Sequence, residues 1–335
     1  MNAYETAHLP RPVWAFSVLL GLGLVAFGGL FVVAPLAFPG FFGSIAVVTA
    51  GFGLIMLTLG IGMVVAGIAG WRAQPARRFY TQWGWLVFAA LSLVIGGLGI
   101  ALPGEAQSQL FFAPIHFALI TLPGLLLFSL LALVVGRDHA ITLRRMILAV
   151  AGGASSILLA IPVEVIGLLL SAAVAAGLIL LTPSGAAELN DLLALLMQWA
   201  ERPPSDQEEI MAVLVSPLAL ITLSLTLAVV TPLIEELGKT LVMGVMGIWV
   251  KPSSLTAFLW GAACGLGFAW FEGISNGALA LGQSLGWAGS VGVRFFATAM
   301  HALTSGIIGL GWAAYWQGRR WWLPLSYAIA TVFHG

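Results

Sequence analysis

Charge is the scarcest property of this 335-residue chain: 13 Lys and Arg with 13 Asp and Glu make up 8% of it, and the formal net charge is zero. Soluble domains carry about a quarter charged residues, so a water-soluble globular fold is excluded. No basic excess exists to meet a phosphate backbone, and nucleic acid is not expected as a partner. Cysteine is nearly missing. The single Cys264 excludes an internal disulfide and any multi-thiolate metal centre, and within an apolar run it reads as an inert core residue. No aspartate falls inside an apolar run, no HExxH occurs, and no Ser–His or Cys–His pairing stands out. The signatures of aspartyl, zincin and Ser or Cys nucleophile chemistry are therefore absent from the sequence.

What the chain has instead is length of apolar run. It is 60% hydrophobic, with a mean hydropathy of +1.05. The runs place crossings at 12–38, 41–70, 84–102, 114–136, 147–181, 211–250, 254–281, 290–316 and 321–335. An all-α, polytopic transmembrane helix bundle of about 8–11 spans is expected. The first run, Val13 to Phe38, is too long for the h-region of a cleavable signal and reads as a signal anchor. Two runs are too long for one crossing: 147–181 would be roughly 50 Å as one helix and 211–250 roughly 60 Å, against a core of about 30 Å. Pro162 and Pro232 are the expected break points, giving either hairpins or one crossing plus an interfacial or re-entrant piece. The 41 glycines lie mostly within the runs and are read as helix-packing positions. Trp287, Trp316, Trp321 and Trp322 are read as interfacial belts.

Basic residues cluster at Arg72, Arg77 and Arg78, at Arg137, Arg144 and Arg145, at Lys251, and at Arg319 and Arg320, while 38–41, 103–113 and 282–289 hold none. The positive-inside rule places the N-terminus and every basic loop in the cytoplasm of a cell whose plasma membrane holds the protein. Residues 1–210 are read as an N-terminal transmembrane region ending in an acidic loop near 182–210, with Glu188, Asp191, Glu201, Asp206, Glu208 and Glu209 against Arg202. Residues 211–335 form a second region, and the misplaced charge lies there.

An ionisable group within the bilayer costs several kcal/mol and is a functional candidate by default. Four acids fall in spans: Glu164, Glu235, Glu236 and Glu272. Glu164, alone beside Pro162, reads as structural or gating. The other three share the C-terminal region with Lys239, His301 and His334, whereas His8, His116 and His139 lie outside it. At about 1.5 Å per residue, Glu235 and Glu236 lie roughly 23 Å from the cytoplasmic end of their helix, Glu272 roughly 27 Å, His301 roughly 21 Å and His334 roughly 20 Å. Similar depth across four segments points to one polar site in the outer half of the membrane. Lys239 is three and four residues from the two glutamates and within reach of either; Glu272 and Asn276 share a face, as do Arg294 and His301. The set suits a carboxylate base with a compensating cation.

The stretches TPLIEELGKTL, GAACGLGFAWFEGISN, RFFATAMHALTSGIIG and TVFHG resemble the PrsW family of intramembrane proteases, and more distantly the CAAX-processing and bacteriocin-processing membrane proteases. Glu235-Glu236 with Lys239, Phe268 with Glu272, His301 and His334 carry the likeness. It implies a glutamate-type endopeptidase that cuts membrane-anchored proteins near the outer surface, anti-sigma factors being one such substrate. Glu235, Glu236, Glu272, His301 and His334 are then the catalytic candidates. Lys239, Asn276 and Arg294 support them. One glutamate acts on water, and His301, with His334, assists the water or stabilises the oxyanion. No metal and no cofactor is expected on this reading. Two alternatives stay open: a zinc protease using two histidines and a Glu, and a transporter or proton relay using the same buried groups.

Overall fold

The computed structural model describes residues 9–80, 82–202, 204 and 207–335; Asp206 and His8 lie outside them. The described residues are helical almost throughout and contain no strand beyond a single bridge between Arg78 and Thr142. The long helices are α1 (Arg11–Ala37), α2 (Ala46–Trp71), α3 (Gly84–Ala101), α4 (Ala113–Val135) and α5 (Leu143–Leu180). There follow α6 (Gly185–Glu201), α7 (Gln207–Leu214), α8 (Pro217–Leu225), a π-helical turn at Thr226–Val230, α9 (Thr231–Gly247), α10 (Ser254–Ala278), α11 (Ser284–Trp316) and α12 (Trp322–His334). Among the described residues, eight stretches are long and apolar enough to cross a membrane: α1 to α3, Leu110–Val135, α5, Pro217–Gly247, α10 and α11. The protein is an all-α integral membrane protein.

Neither expected proline break occurs. Pro162 lies inside α5, which runs unbroken for 38 residues. In hydrocarbon, ending a helix would orphan several backbone groups, whereas a proline orphans one carbonyl, so the continuous helix is favoured. The second long run breaks earlier, at Ser216, whose extended backbone and side chain cap α8 by accepting from Ala219 N at 3.2 Å. Pro217 then takes the first helical position, where its missing N–H costs nothing. At Pro232 the helix widens instead: the π-helical turn feeds straight into α9, and the carbonyl of Ala228, which Pro232 cannot serve, falls within that wider turn. Last, α12 has only 13 residues, about 20 Å of rise.

The chain divides into two units: one comprises residues up to Ile157 with Glu236–Phe333, the other Leu158–Glu235 with His334–Gly335. In the first, α10 is the centre, with every residue from Leu259 to Phe271 buried. Its close fit to α11 depends on glycine: a Cβ at Gly261 would lie 2.0 Å from the Ser305 carbonyl oxygen, and one at Gly265 2.1 Å from that of His301. α1 and α2 approach in the same way, Gly21 against Gly60 and Gly28 against Gly53. These are the packing positions that small residues supply in lipid. Trp287 is not an interfacial anchor. It is 1% exposed and donates to His116 Nδ1 at 3.1 Å, while His116 Nε2 lies 3.1 Å from the Ile274 carbonyl.

Loops expected on one side of the membrane meet on one face of this unit. Phe79 N donates to Ile141 O at 2.8 Å, Leu143 N to Arg77 O at 2.7 Å, and Thr256 Oγ1 to His139 O at 3.0 Å. At the opposite ends of the helices, Ser284 Oγ donates to Leu102 O at 3.1 Å. In the second unit, α6 is amphipathic; Ser184 Oγ donates to Glu188 Oε1 at 2.5 Å at its start, and Leu193, Leu196 and Met197 are exposed.

Candidate active site

The polar set starts on α9. Glu236 and Lys239, three residues apart, are both 0% exposed, and Lys239 Nζ donates to Glu236 Oε1 at 2.8 Å. Glu236 is one of the two glutamates within its reach on sequence grounds. Thr304 Oγ1 and Ser305 Oγ on α11 reach the same carboxylate at 3.0 and 3.4 Å.

Lys239 also leads onward. Its Nζ lies 2.8 Å from His301 Nδ1, and His301 Nε2 lies 2.7 Å from Glu272 Oε2. An ammonium only donates, so Nδ1 is the acceptor and Nε2 carries the proton that is given to Glu272. The neighbours fix one tautomer of a neutral imidazole. Phe268, a turn before Glu272, flanks the His301 ring at 5.6 Å and lies 4.3 Å from Lys239 Nζ, close enough for a cation–π contact.

Glu272 ends the chain of contacts. Arg294 grips it with both arms, Nη1 to Oε1 at 3.1 Å and Nη2 to Oε2 at 2.6 Å, and Asn276 Nδ2 donates to Oε1 at 2.9 Å. Two carboxylates, two cations and a neutral histidine sum to zero. Charge balance is a condition under which apolar helices tolerate such groups. Exposure rises along the network, from nothing at Glu236 to 25% for the Glu272 side chain. The Glu272 end is the more exposed of the two.

The other unit holds Glu235 and His334. Their closest atoms, Oε2 and Nε2, are 3.6 Å apart, with side chains 8% and 11% exposed. Glu164 is half-buried in α5, and Cys264 is buried as a free thiol. Thus the first unit gathers Glu236, Glu272, His301, Lys239, Asn276 and Arg294, and the second gathers Glu235 and His334. Thr304 and Ser305 went unnoticed in the sequence. Their signal is spacing, three and four residues after His301 on one helix face.

Comparison with known proteins bears on this arrangement. The profile described as PrsW family intramembrane metalloprotease matches residues 164–335, just over half of the chain. Comparisons with curated proteins and with solved structures return no match. The match begins at Glu164 and takes in every buried charge described above, so the chain belongs to the PrsW family of intramembrane metalloproteases.

Proposed function

We propose that the protein hydrolyses a peptide bond of a membrane-anchored protein near the outer face of the plasma membrane, and that Glu235 is the general base that activates the water. The observation that carries this reading is the juxtaposition of the Glu235 carboxylate with the His334 imidazole. Glu236 is committed to Lys239, Thr304 and Ser305. A carboxylate held by three donors keeps a charge in place and locks the rotation of α9. Glu235, next along that helix, is instead set against the imidazole of His334, at a separation beyond a direct hydrogen bond and short enough for one water to touch both. Carboxylate and imidazole around a water are the groups that proton transfer uses.

On this reading Glu236, Lys239, Glu272 and Arg294 hold the framework, and His301 keeps the role its sequence context suggests, assisting the water or the oxyanion. The N-terminus is cytoplasmic, 1–210 is the accessory membrane region, and 211–335 carries the chemistry. The substrate is a membrane-anchored protein, of which an anti-sigma factor is one kind.

A second reading is favoured by the same pair. A carboxylate oxygen and an imidazole nitrogen are donors that zinc takes, and bonds of about 2.0–2.2 Å put two ligands of a tetrahedral ion roughly 3.3 Å apart. Glu235 and His334, at 3.6 Å, fit two such positions. When bound, zinc supplies a more acidic water; Glu235 would then be a ligand rather than the base.

One experiment separates the two. Wild type and Glu235→Gln are reconstituted in liposomes with a single-pass reporter protein, and cleavage is followed before and after chelation, with zinc measured per chain. A glutamate base predicts active metal-free enzyme and a loss of about 10²-fold or more in Glu235→Gln with unfolding temperature retained. Chelator-sensitive activity, with zinc absent from Glu235→Gln and from His334→Ala, would move the assignment to zinc.

A further inference from the structure

The basic loops mark topology in the sequence, and the structure gives one group of them a shape. Arg77, Arg78 and Arg137, with Tyr80, Gln82 and Trp83, line an open cleft of about 620 Å³ in the first unit. Two loops build it. Residues 77–79 run antiparallel to 141–143 through the Arg78–Thr142 bridge, with Phe79 N donating to Ile141 O at 2.8 Å and Leu143 N to Arg77 O at 2.7 Å. Arg78 Nη1 donates to the Arg137 carbonyl at 2.6 Å, which ties one loop's arginine to the backbone of the other. The arginines are brought together by this backbone pairing rather than scattered along a flexible loop.

Among the described residues no carboxylate lines the cleft, and the nearest acid in sequence, Asp138, is exposed beside Arg137. The like charges of Arg77 and Arg137 held around one space repel one another, and an anion accepting from their forked donors would relieve that repulsion. The position restricts which anion. α2 ends at Trp71, α3 begins at Gly84, α4 ends at Val135 and α5 begins at Leu143. The cleft therefore lies where four spanning helices meet the headgroup layer. Trp83, 68% exposed, and Tyr80 stand at its edge, as aromatic residues do at that depth.

We propose that this cleft binds the phosphodiester headgroup of an anionic phospholipid. The arginine fork takes the phosphate oxygens, and the aromatic pair packs against the glycerol and the upper acyl carbons. The site is separate from the buried glutamates and does not depend on how they react.

The test titrates the full chain in detergent with short-chain phosphatidylglycerol, short-chain phosphatidylcholine and inorganic phosphate, read by unfolding temperature and native mass spectrometry. Phosphatidylglycerol should bind saturably and raise the unfolding temperature, and phosphatidylcholine should not. Arg77→Gln and Arg137→Gln should each weaken binding about fivefold, the worth of one basic residue beside an anionic surface. High salt should weaken binding to the wild type, a measurement independent of how any variant folds. Equal binding of the two lipids, salt-insensitive binding, or folded variants that bind as the wild type does would overturn the proposal. Inorganic phosphate binding as tightly as phosphatidylglycerol would also overturn it, in favour of a soluble phosphate.

Discussion

Lys239 is the residue on which the buried charges depend most. It is fully enclosed, donates to Glu236 and reaches His301 Nδ1, so it both offsets a carboxylate and sets a histidine tautomer. Lys239→Met would leave Glu236 charged without its cation, a change worth about 3–5 kcal/mol when one partner of a buried pair is removed. A large fall in unfolding temperature is expected, with lost activity. Lys239→Arg should fold better but work poorly, because a planar fork cannot meet both partners where a compact ammonium does. A Lys239→Met protein as stable as the wild type would show that the pair adds nothing. The i,i+3 spacing made this contact legible in the sequence. The hydroxyls of Thr304 and Ser305 were not legible, because Ser and Thr in membrane helices commonly bond to their own helix. Thr298 does so with the Arg294 carbonyl, and Thr226 with that of Thr222.

At the scale of helices, apolar runs were easy to place and their interruptions were not. Rules learned in water treat Pro162 and Pro232 as ends. Lipid penalises every orphaned backbone group, and the helices absorb them, one by continuing and one through a π-helical turn ahead of Glu235. The contact of α10 with α11 was legible only as an abundance of glycine; which glycine meets which carbonyl depends on the packing. Gly265 faces His301, the residue whose Nε2 meets Glu272. Gly265→Val should force the helices apart, lower stability by about 1–3 kcal/mol as overpacking does, and weaken cleavage by separating His301 from Glu272. Chemical denaturation and the reporter assay measure the two effects. An unchanged denaturation midpoint would contradict the close approach.

At the scale of the molecule, the eight candidate spans among the described residues, taken as single crossings, agree with the charge pattern. Basic loops 72–83, 136–142 and 248–253 fall on one side by parity, and 38–45, 102–109 and 279–283 on the other. That parity was readable from loop charge alone, because it survived the uncertainty over both long runs. The proposed orientation is checked by labelling with a membrane-impermeant thiol reagent in a Cys264→Ala background. Gln283→Cys should react from outside in intact cells, and Gln74→Cys only after the membrane is opened. The reverse pattern would invert the protein and put the buried charges in the inner half of the membrane.

The most direct test of Glu235 as the reacting carboxylate is a map of new protein N-termini in membranes of cells that produce the wild type or Glu235→Gln at equal levels. The expected result is a set of new termini at or near the outer ends of transmembrane segments in membrane-anchored proteins, present with the wild type and missing with Glu235→Gln. The same set of termini in both would contradict it.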